Sequence, residues 1–424
     1  MKIAVIGGGI SGNVAAYHLN KEHQVTLFEA NDYVGGHTHT HDIEWAGQHY
    51  PVDTGFIVYN EKTYPNFIAL LDELKVDTRV TEMSFSVKSE RDGLEYNGHS
   101  LNSLFAQRRN LFKPSFHRMV RDILRFNKQA PLDMQQGQAE IGLGDYLQQN
   151  NYCEQFIHHY IIPMGAAIWS TDPLQMNRFP ARFFIRFFHN HGLLNVQNRP
   201  RWFVIDGGSS QYIEPLVASF KHNIRLNSRI ESIRRLPNYV LIKPFKQDAE
   251  RFDAVFIASH SDQALAMLDD ASRLEKNVLG AIRYQQNEAI LHTDQSVLPK
   301  RRLAWAAWNY HLLDYSQPQA ALTYNMNILQ GHQAAVQFCV TLNHSAAIDK
   351  RKIINRFHYD HPVYTTESIA AQQRQSEING VNRTYYCGAY WRNGFHEDGV
   401  VSALNAVKHF EENSHEKLYL SRAS

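Results

Sequence analysis

The sequence predicts an α/β protein in which a parallel-stranded domain is interleaved with an α+β domain that carries an antiparallel sheet. Two observations predict this. The first sixty residues read as strand, glycine turn, helix and strand. Far down the chain, the period-2 runs Glu288 to Thr293, Leu303 to Trp308, Leu322 to Ile328 and Val336 to Leu342 have the pattern of antiparallel strands. With 424 residues the chain is long enough for two or three domains and a real core. A net charge of +1 argues against a protein that coats nucleic acid over its whole surface. Cys153, Cys339 and Cys387 cannot all pair within one chain, which suits a reduced, cytoplasmic setting better than a disulfide scaffold. No stretch approaches the roughly eighteen uninterrupted apolar residues of a membrane-spanning helix. Met1 to Ile6 runs into glycines with no cleavage-site pattern, so it reads as a buried strand and not as a signal peptide.

Each piece of the opening unit has a mechanical reason. Ile3 to Ile6 is the apolar run of a strand buried on both faces. In the Gly7 to Gly12 turn, Gly7 permits the bend, Gly9 lets the backbone approach a pyrophosphate, and Gly12 lets helix and strand pack closely. Ile10 and Ser11 open a helix whose N-terminal N–H groups face the phosphates. Gln24 to Phe28 forms the second strand, and Glu29 at its end is placed to accept hydrogen bonds from the adenosine ribose. Together these make a Rossmann-type dinucleotide site, and the acid disfavours a 2′-phosphate.

A second glycine pair follows at once, Gly35-Gly36-His37-Thr38. With it the chain resembles the flavin-containing amine oxidase superfamily, which includes phytoene desaturases and protoporphyrinogen oxidases. The resemblance implies FAD as cofactor and a glutathione-reductase-like, amine-oxidase-type fold. An arginine usually follows the glycine pair in that superfamily, where this chain has His37. Five later pieces match in order. Val52 to Phe56, around Gly55, resembles the next turn, and Asp206 to Tyr212 the return to the FAD domain. Leu226 to Ile233, with Ile230 at its centre, resembles the strand whose backbone meets the adenine, and Phe252 to Ser259 a strand close to the dinucleotide. Finally Tyr386 to Gly399 runs into a helix over Val400 to Phe410 and resembles the C-terminal flavin motif. It implies Gly388, Asp398, Gly399 and Val400 as cofactor-binding positions.

The intact Gly394-Phe395-His396-Glu397-Asp398-Gly399, with Pro163 to Thr171 and Trp305 to Tyr310, narrows the resemblance. These segments are similar to a bacterial branch of FAD-dependent oxidoreductases akin to the N-terminal flavoprotein domain of plant cyclopropane-fatty-acid synthases. That branch implies a phospholipid acyl chain as substrate and a lipid methyltransferase as partner. Within the superfamily an aromatic residue sits against the flavin at the place of Phe395. His396 is expected near the flavin pyrimidine edge, where it would stabilise the reduced anion. Tyr390, Trp391, Trp305 and Trp308 are candidate cavity walls, with core packing as the alternative.

These matches imply a discontinuous FAD domain over 1–74, 203–270 and 380–413. A substrate domain would comprise 75–202, which reads largely helical, and 271–379, with a frayed tail over 414–424. The reacting group would sit between the antiparallel sheet and the isoalloxazine. Residues 101–130 hold seven basic side chains and one acid, with Phe112, Phe116, Met119, Val120 and Ile123 at helical spacing. Further on, Arg182 and Arg186 lie one turn apart among phenylalanine pairs. Segments 105–128 and 178–191 are therefore candidate contacts with an anionic membrane, peripheral on its inner face; a helix with a core-facing apolar side and a solvated basic face is the alternative for the first, and phenylalanines lining an apolar substrate tunnel the alternative for the second. His37, His39 and His41 would share one face of a strand, but no cysteine or carboxylate cluster supports a metal there, and none is assigned. The favoured activity is hydride removal from an apolar substrate by an FAD-dependent oxidase or desaturase. A flavin-dependent amine oxidase and a non-catalytic accessory subunit of a lipid methyltransferase are the alternatives.

Overall fold

β1 (Lys2–Ile6) is the middle strand of a five-stranded parallel sheet. It pairs with β2 (Gln24–Phe28) on one side and Ala254–Ile257 on the other, so that Val5 lies between Leu27 and Phe256. Ile224–Arg225 adds to the outside of β2, and Thr384–Tyr386 to the outside of Ala254–Ile257. A parallel sheet is covered on both faces, which is why β1 is continuously apolar. On one face α1 (Ile10–Leu19) and the C-terminal helix His396–Arg422 bury Val14, Ala15, Ala403 and Val407. On the other, Ile233, Ile242, Phe252 and Val278 close the layer. The computed structural model describes residues 1–313 and 319–422. Its last helix starts before the expected Val400 and continues past Phe410 into the segment expected to fray, because after Gly399 no glycine or proline interrupts the run to Arg422. The remainder of that expected tail, 423–424, lies outside the described residues.

Behind the sheet, one buried charge cluster ties three segments together. The Arg235 guanidinium, from the strand Ile230–Arg235, donates to Glu275 at 2.7 and 3.0 Å and to Asp270 at 2.6 Å. Tyr386, on the edge strand Thr384–Tyr386, donates its hydroxyl to the same Glu275. The Arg235 and Glu275 side chains are 1% and 3% exposed.

The second sheet has seven strands, in the order Ile353–Val363, Arg283–His292, Cys339–Leu342, Ala321–Asn325, Trp308–Leu312, Phe85–Ser89 and Glu95–Asn97. Every pair is antiparallel except Trp308–Leu312 with Phe85–Ser89. Two expectations need correction. The segment 75–202 contributes the strands Thr78–Thr81, Phe85–Ser89 and Glu95–Asn97 besides its helices. The run Leu303 to Trp308 is not a strand. Glu95 accepts from the Lys300 and Arg301 N–H groups, the Trp305 indole donates to the Pro299 carbonyl, and pairing begins only at Trp308. That alternation is a loop wrapped around its own anchor points.

The helices Pro114–Gln135, Leu143–Gln149, Ile162–Trp169 and Ala181–Asn190 pack on the sheet around Val87, Tyr96, Tyr310 and Leu322. Pro114 at the helix start and the inward spacing of Phe116, Met119, Phe126 and Ala130 explain the first of them. The aromatic face of 178–191 turns inward: Phe183, Phe184, Phe187 and Phe188 are all buried. That segment was a candidate membrane contact, but its apolar stripe packs into the helical core and leaves only Arg178, Arg182, Arg186 and the polar end outside.

Candidate functional site

The glycine turn after β1 is built as tightly as its residues require. Gly7 has φ +101° and donates its N–H to the Phe28 carbonyl at 2.8 Å. A Cβ on Gly12 would lie 1.8 Å from the Gly7 carbonyl oxygen, so only glycine lets α1 start there. At Gly9 a Cβ would meet nothing within 4 Å, because this position faces the cavity. Glu29 accepts the Gly8 N–H at 2.6 Å and the Asn31 N–H at 2.9 Å, and its carboxylate lines the same cavity with lone pairs to spare. Gly35 donates its N–H to the Gly8 carbonyl at 2.8 Å, and a Cβ on Gly36 would sit 3.1 Å from the Gly9 Cα. The two glycine motifs therefore stack on each other. Gly55 completes this wall, where a side chain would meet the His37 carbonyl at 2.1 Å.

Two other motifs meet through one carboxylate. Asp53 is buried and accepts hydrogen bonds from Thr40, from the Ser209 N–H and hydroxyl, and from Gln330. Burial pushes its carboxyl up to about 6, against the pull of the Thr40 and Ser209 donors. Thr38, Tyr212 and His396 form a closed trio: Thr38 Oγ1 lies 2.6 Å from Tyr212 Oη and 3.0 Å from His396 Nε2, with 3.0 Å between the last two. The His396 ring also stacks on Phe56 at 3.6 Å between centroids. Burial lowers it to about 3, so it is neutral at ordinary pH. His396 lines the cavity, but its Nε2 is spent on this trio.

The C-terminal motif places successive acids on different tasks. Glu397 accepts the Asn66 and Phe67 N–H groups at the start of the helix Pro65–Leu74. Asp398 reaches back to the Phe395 N–H at 2.9 Å and to Asn393, capping its own helix. Ser11 donates to the Gly399 carbonyl, and a Cβ on Gly399 would meet Ile10 at 2.7 Å. Of the residues expected at the cofactor, Gly7, Gly9, Ile10, Ser11, Glu29, Gly35, Gly36, His37, Gly55, Ile230 and Gly388 line the cavity, with Phe395 and His396. Gly12, Thr38, Asp398, Gly399 and Val400 do not line it. Their contacts fasten its walls from behind.

Burial also raises the Asp398 carboxyl from its ordinary value near 3.8 to about 6, against the Phe395 N–H and the Arg392 charge. An acid raised on folding stabilises the protein fully below its unfolded value and loses that contribution as pH rises through the folded one. Between pH 4 and pH 7 the melting temperature of the native protein should therefore fall relative to that of Asp398→Asn. A parallel pair of melting curves would refute this assignment.

The three alternating histidines do share one face. His37 lies 5.0 Å from Tyr359 and 5.4 Å from His361, His39 stacks on Tyr33 at 4.2 Å, and His41 stacks on Phe357 at 4.5 Å. They interleave with the alternate residues of Ile353–Val363. Burial holds His37 well below the usual imidazole range and His41 at about 4, so neither carries charge. Among the described residues no three His, Cys, Asp or Glu side chains are grouped to hold a metal.

The cavity measures about 960 Å³, and its lining falls into two groups of residues, here called its two lobes. One runs over the glycine turns past Glu29 to Ser228, Arg229 and Ile230, where the Ser228 N–H meets the Glu29 carbonyl at 2.8 Å. The other is walled by Phe85, Met164, Trp169, Phe187, Trp308 and Tyr364. Phe395 stacks on Phe187 at 5.0 Å, and both line the cavity. Tyr390 and Trp308 are walls as expected, whereas Trp391 packs behind the sheet and Trp305 faces Pro299. Phe187 lines the cavity, in keeping with the tunnel alternative for the phenylalanine stretch, whereas Met164, Trp169, His191 and Tyr364 have no cavity role in the sequence reading. These four come from segments far apart in sequence, and of them only Met164 and Trp169 fall in a motif the sequence singles out, Pro163 to Thr171.

A cradle that excludes side chains at Gly12, Gly36 and Gly55 while opening at Gly9, with an acid at the far strand end, fits a dinucleotide laid along the first lobe. Fold and site thus define a dinucleotide-dependent flavoprotein. The profile of the family described as flavin containing amine oxidoreductase matches residues 10–317. The chain belongs to that family, and it is an FAD-dependent oxidoreductase of the amine oxidase superfamily. No curated protein is a sequence match. Among solved structures, the fold is similar to that of a putrescine oxidase mutant (TM-score 0.69, 14% identity, covering 97% of this chain and 99% of that one). It is also similar to a fatty acid isomerase from P. acnes that produces CLA (0.68, 16%, 96% and 98%). A third is cyclohexylamine oxidase from Brevibacterium oxydans (0.68, 14%, 97% and 99%).

Proposed function

We propose that this flavoenzyme is an oxidase or desaturase that removes hydride from an apolar substrate, namely a phospholipid acyl chain in cyclopropane or methylated fatty-acid metabolism. The observation that carries the reading is the second lobe. Phe85, Met164, Ile168, Trp169, Phe187 and Trp308 line it, and no acid is among them. Three carboxylates do line the cavity: Glu29 at the glycine turns, Glu231 beside Ile230, and Asp360 on the strand Ile353–Val363, near enough to act on the His260 charge. A cationic amine would leave water for that lobe without a counter-ion, whereas an alkyl chain gains from it. The likeness in fold to a fatty acid isomerase and the branch resemblance of the C-terminal motif support the same choice.

The bound FAD supplies the hydride acceptor. The chain's own residues hold it, dry the lobe and orient the substrate. Phe395 and Phe187 form one stacked wall. His191 donates its Nδ1–H to the Phe187 carbonyl at 3.0 Å, which fixes the ring in the cavity wall. In anaerobic mixing, methylated or unsaturated acyl phospholipids are expected to bleach the flavin absorbance, and amines are not. Bleaching by amines alone would overturn the reading in favour of amine oxidation. Loss of bleaching by every substrate would favour a flavin-holding subunit of a lipid methyltransferase.

A further inference from the structure

We propose that the surface knuckle formed by Leu101–Leu104, Arg108–Phe112 and the start of the helix Pro114–Gln135 docks the protein on an anionic lipid bilayer, beside the opening of the cavity. Three apolar tips project there: Phe112 is 86% exposed, Leu101 77% and Leu111 45%. Single exposed apolar residues are ordinary, but these three belong to one braced unit. Arg108 donates to the Asn102 and Phe105 carbonyls, and the His117 ring is hydrogen-bonded to the Leu111 carbonyl at 2.8 Å. The tips are therefore held out by the fold.

Charge selects the occupant. Residues 101–121 contain Arg108, Arg109, Lys113, Arg118 and Arg121 and no acid at all. Phe116 and Met119 are buried, which leaves Arg118 and Arg121 on the exposed side of the helix with the apolar tips. Apolar tips inside a basic collar match a bilayer with anionic headgroups, the tips entering the acyl boundary and the bases staying at headgroup level. No helix among the described residues is long and apolar enough to cross a membrane, so the contact is peripheral.

The knuckle adjoins the cavity. Gly98 and His99 line it and are exposed, and Leu101 follows two residues later. A lipid beneath the knuckle would thus lie next to the way into the aromatic lobe. Docking stands on the surface alone, while delivery of an acyl chain rests on the function proposed above.

Sedimentation of the FAD-loaded protein with vesicles of phosphatidylcholine, with and without phosphatidylglycerol, tests the docking. Binding to the anionic vesicles should be at least about tenfold stronger and should weaken as salt is raised. Two variants, Leu111→Ser with Phe112→Ser and Arg118→Glu with Arg121→Glu, should each lower it by about tenfold while keeping their bound flavin. Equal binding to both vesicle types, no binding to either, or variants that bind like the native protein would overturn the proposal. Vesicle binding without flavin bleaching by any acyl substrate would uphold docking and overturn the function. Variants that lose activity on vesicles but keep it on a short, monomeric acyl substrate would support both.

Discussion

Gly12→Val should yield a protein that carries no flavin. The Cβ alone would lie 1.8 Å from the Gly7 carbonyl oxygen and 3.2 Å from Ala258, so a branched side chain must push α1 away from β1 and Ala254–Ile257. The Gly7 carbonyl cannot retreat, because its residue is held by the bond to Phe28 and by the Ala258 backbone behind it. The displacement would move the helix N-terminus from the phosphates and pull on the Ser11–Gly399 contact. A loss of at least about a hundredfold in FAD affinity is expected, close to 2.7 kcal/mol, together with lower stability of the apoprotein. Flavin absorbance per protein and a melting curve measured without FAD check both parts. Gly9→Val is the comparison: its side chain enters open cavity space, so it should lose FAD while the apoprotein melts normally. Stoichiometric flavin in Gly12→Val would refute the packing argument.

Glu275→Gln should be among the most destabilising single changes remote from the cavity. Burial works to raise this carboxyl, but the Arg235 guanidinium, the Tyr386 hydroxyl and the Ser272 N–H outweigh it and hold it down at about 2. Removing its charge leaves Arg235 buried and half-paired, which costs about 3–5 kcal/mol. Replacing both partners, as Arg235→Met with Glu275→Leu, removes the stranded charge and should cost clearly less than Glu275→Gln alone. The sign with pH follows. A carboxyl depressed on folding contributes fully above its ordinary value near 4.5 and loses that contribution as pH falls toward 2. Denaturant titrations at pH 7 and pH 3 should show the gap between native protein and Glu275→Gln narrowing at the lower pH. A constant gap would refute the assignment.

What could be read in the sequence was local. The turn from Gly7 to Gly12 declares itself because strand, glycines, helix and acid follow within thirty residues, each with a reason to be there. Bonds between distant segments leave no such mark. Asp53 and Ser209 are 156 positions apart, and nothing in the spacing of either motif names the other. The phenylalanines of Ala181–Asn190 show why amphipathicity misleads: periodicity says that one face is apolar, not whether a core or a bilayer covers it. Alternation failed at Leu303 to Trp308 for a related reason, since the loop is held by the bonds of Glu95 and the Trp305 indole and not by pairing with a strand. Asp398 and Thr38 are expected at the cofactor because their motifs resemble the superfamily's flavin motifs, yet their side chains brace the cavity walls.

The order of strands in the parallel sheet also dictates how the chain must be made. β1 leaves the ribosome first, but its inner neighbour, Ala254–Ile257, follows some 250 residues later, and the edge strand Thr384–Tyr386 comes later still. At about 5–20 residues per second, the first strand waits roughly ten seconds to most of a minute for its partner. During that time an apolar strand with one unpaired edge is exposed to other nascent chains. The capping of Pro65–Leu74 by Glu397 delays closure further, because that bond forms only once the final helix exists. The parallel sheet therefore closes only when Thr384–Tyr386 has emerged, and until then it keeps an unpaired apolar edge that other nascent chains can meet.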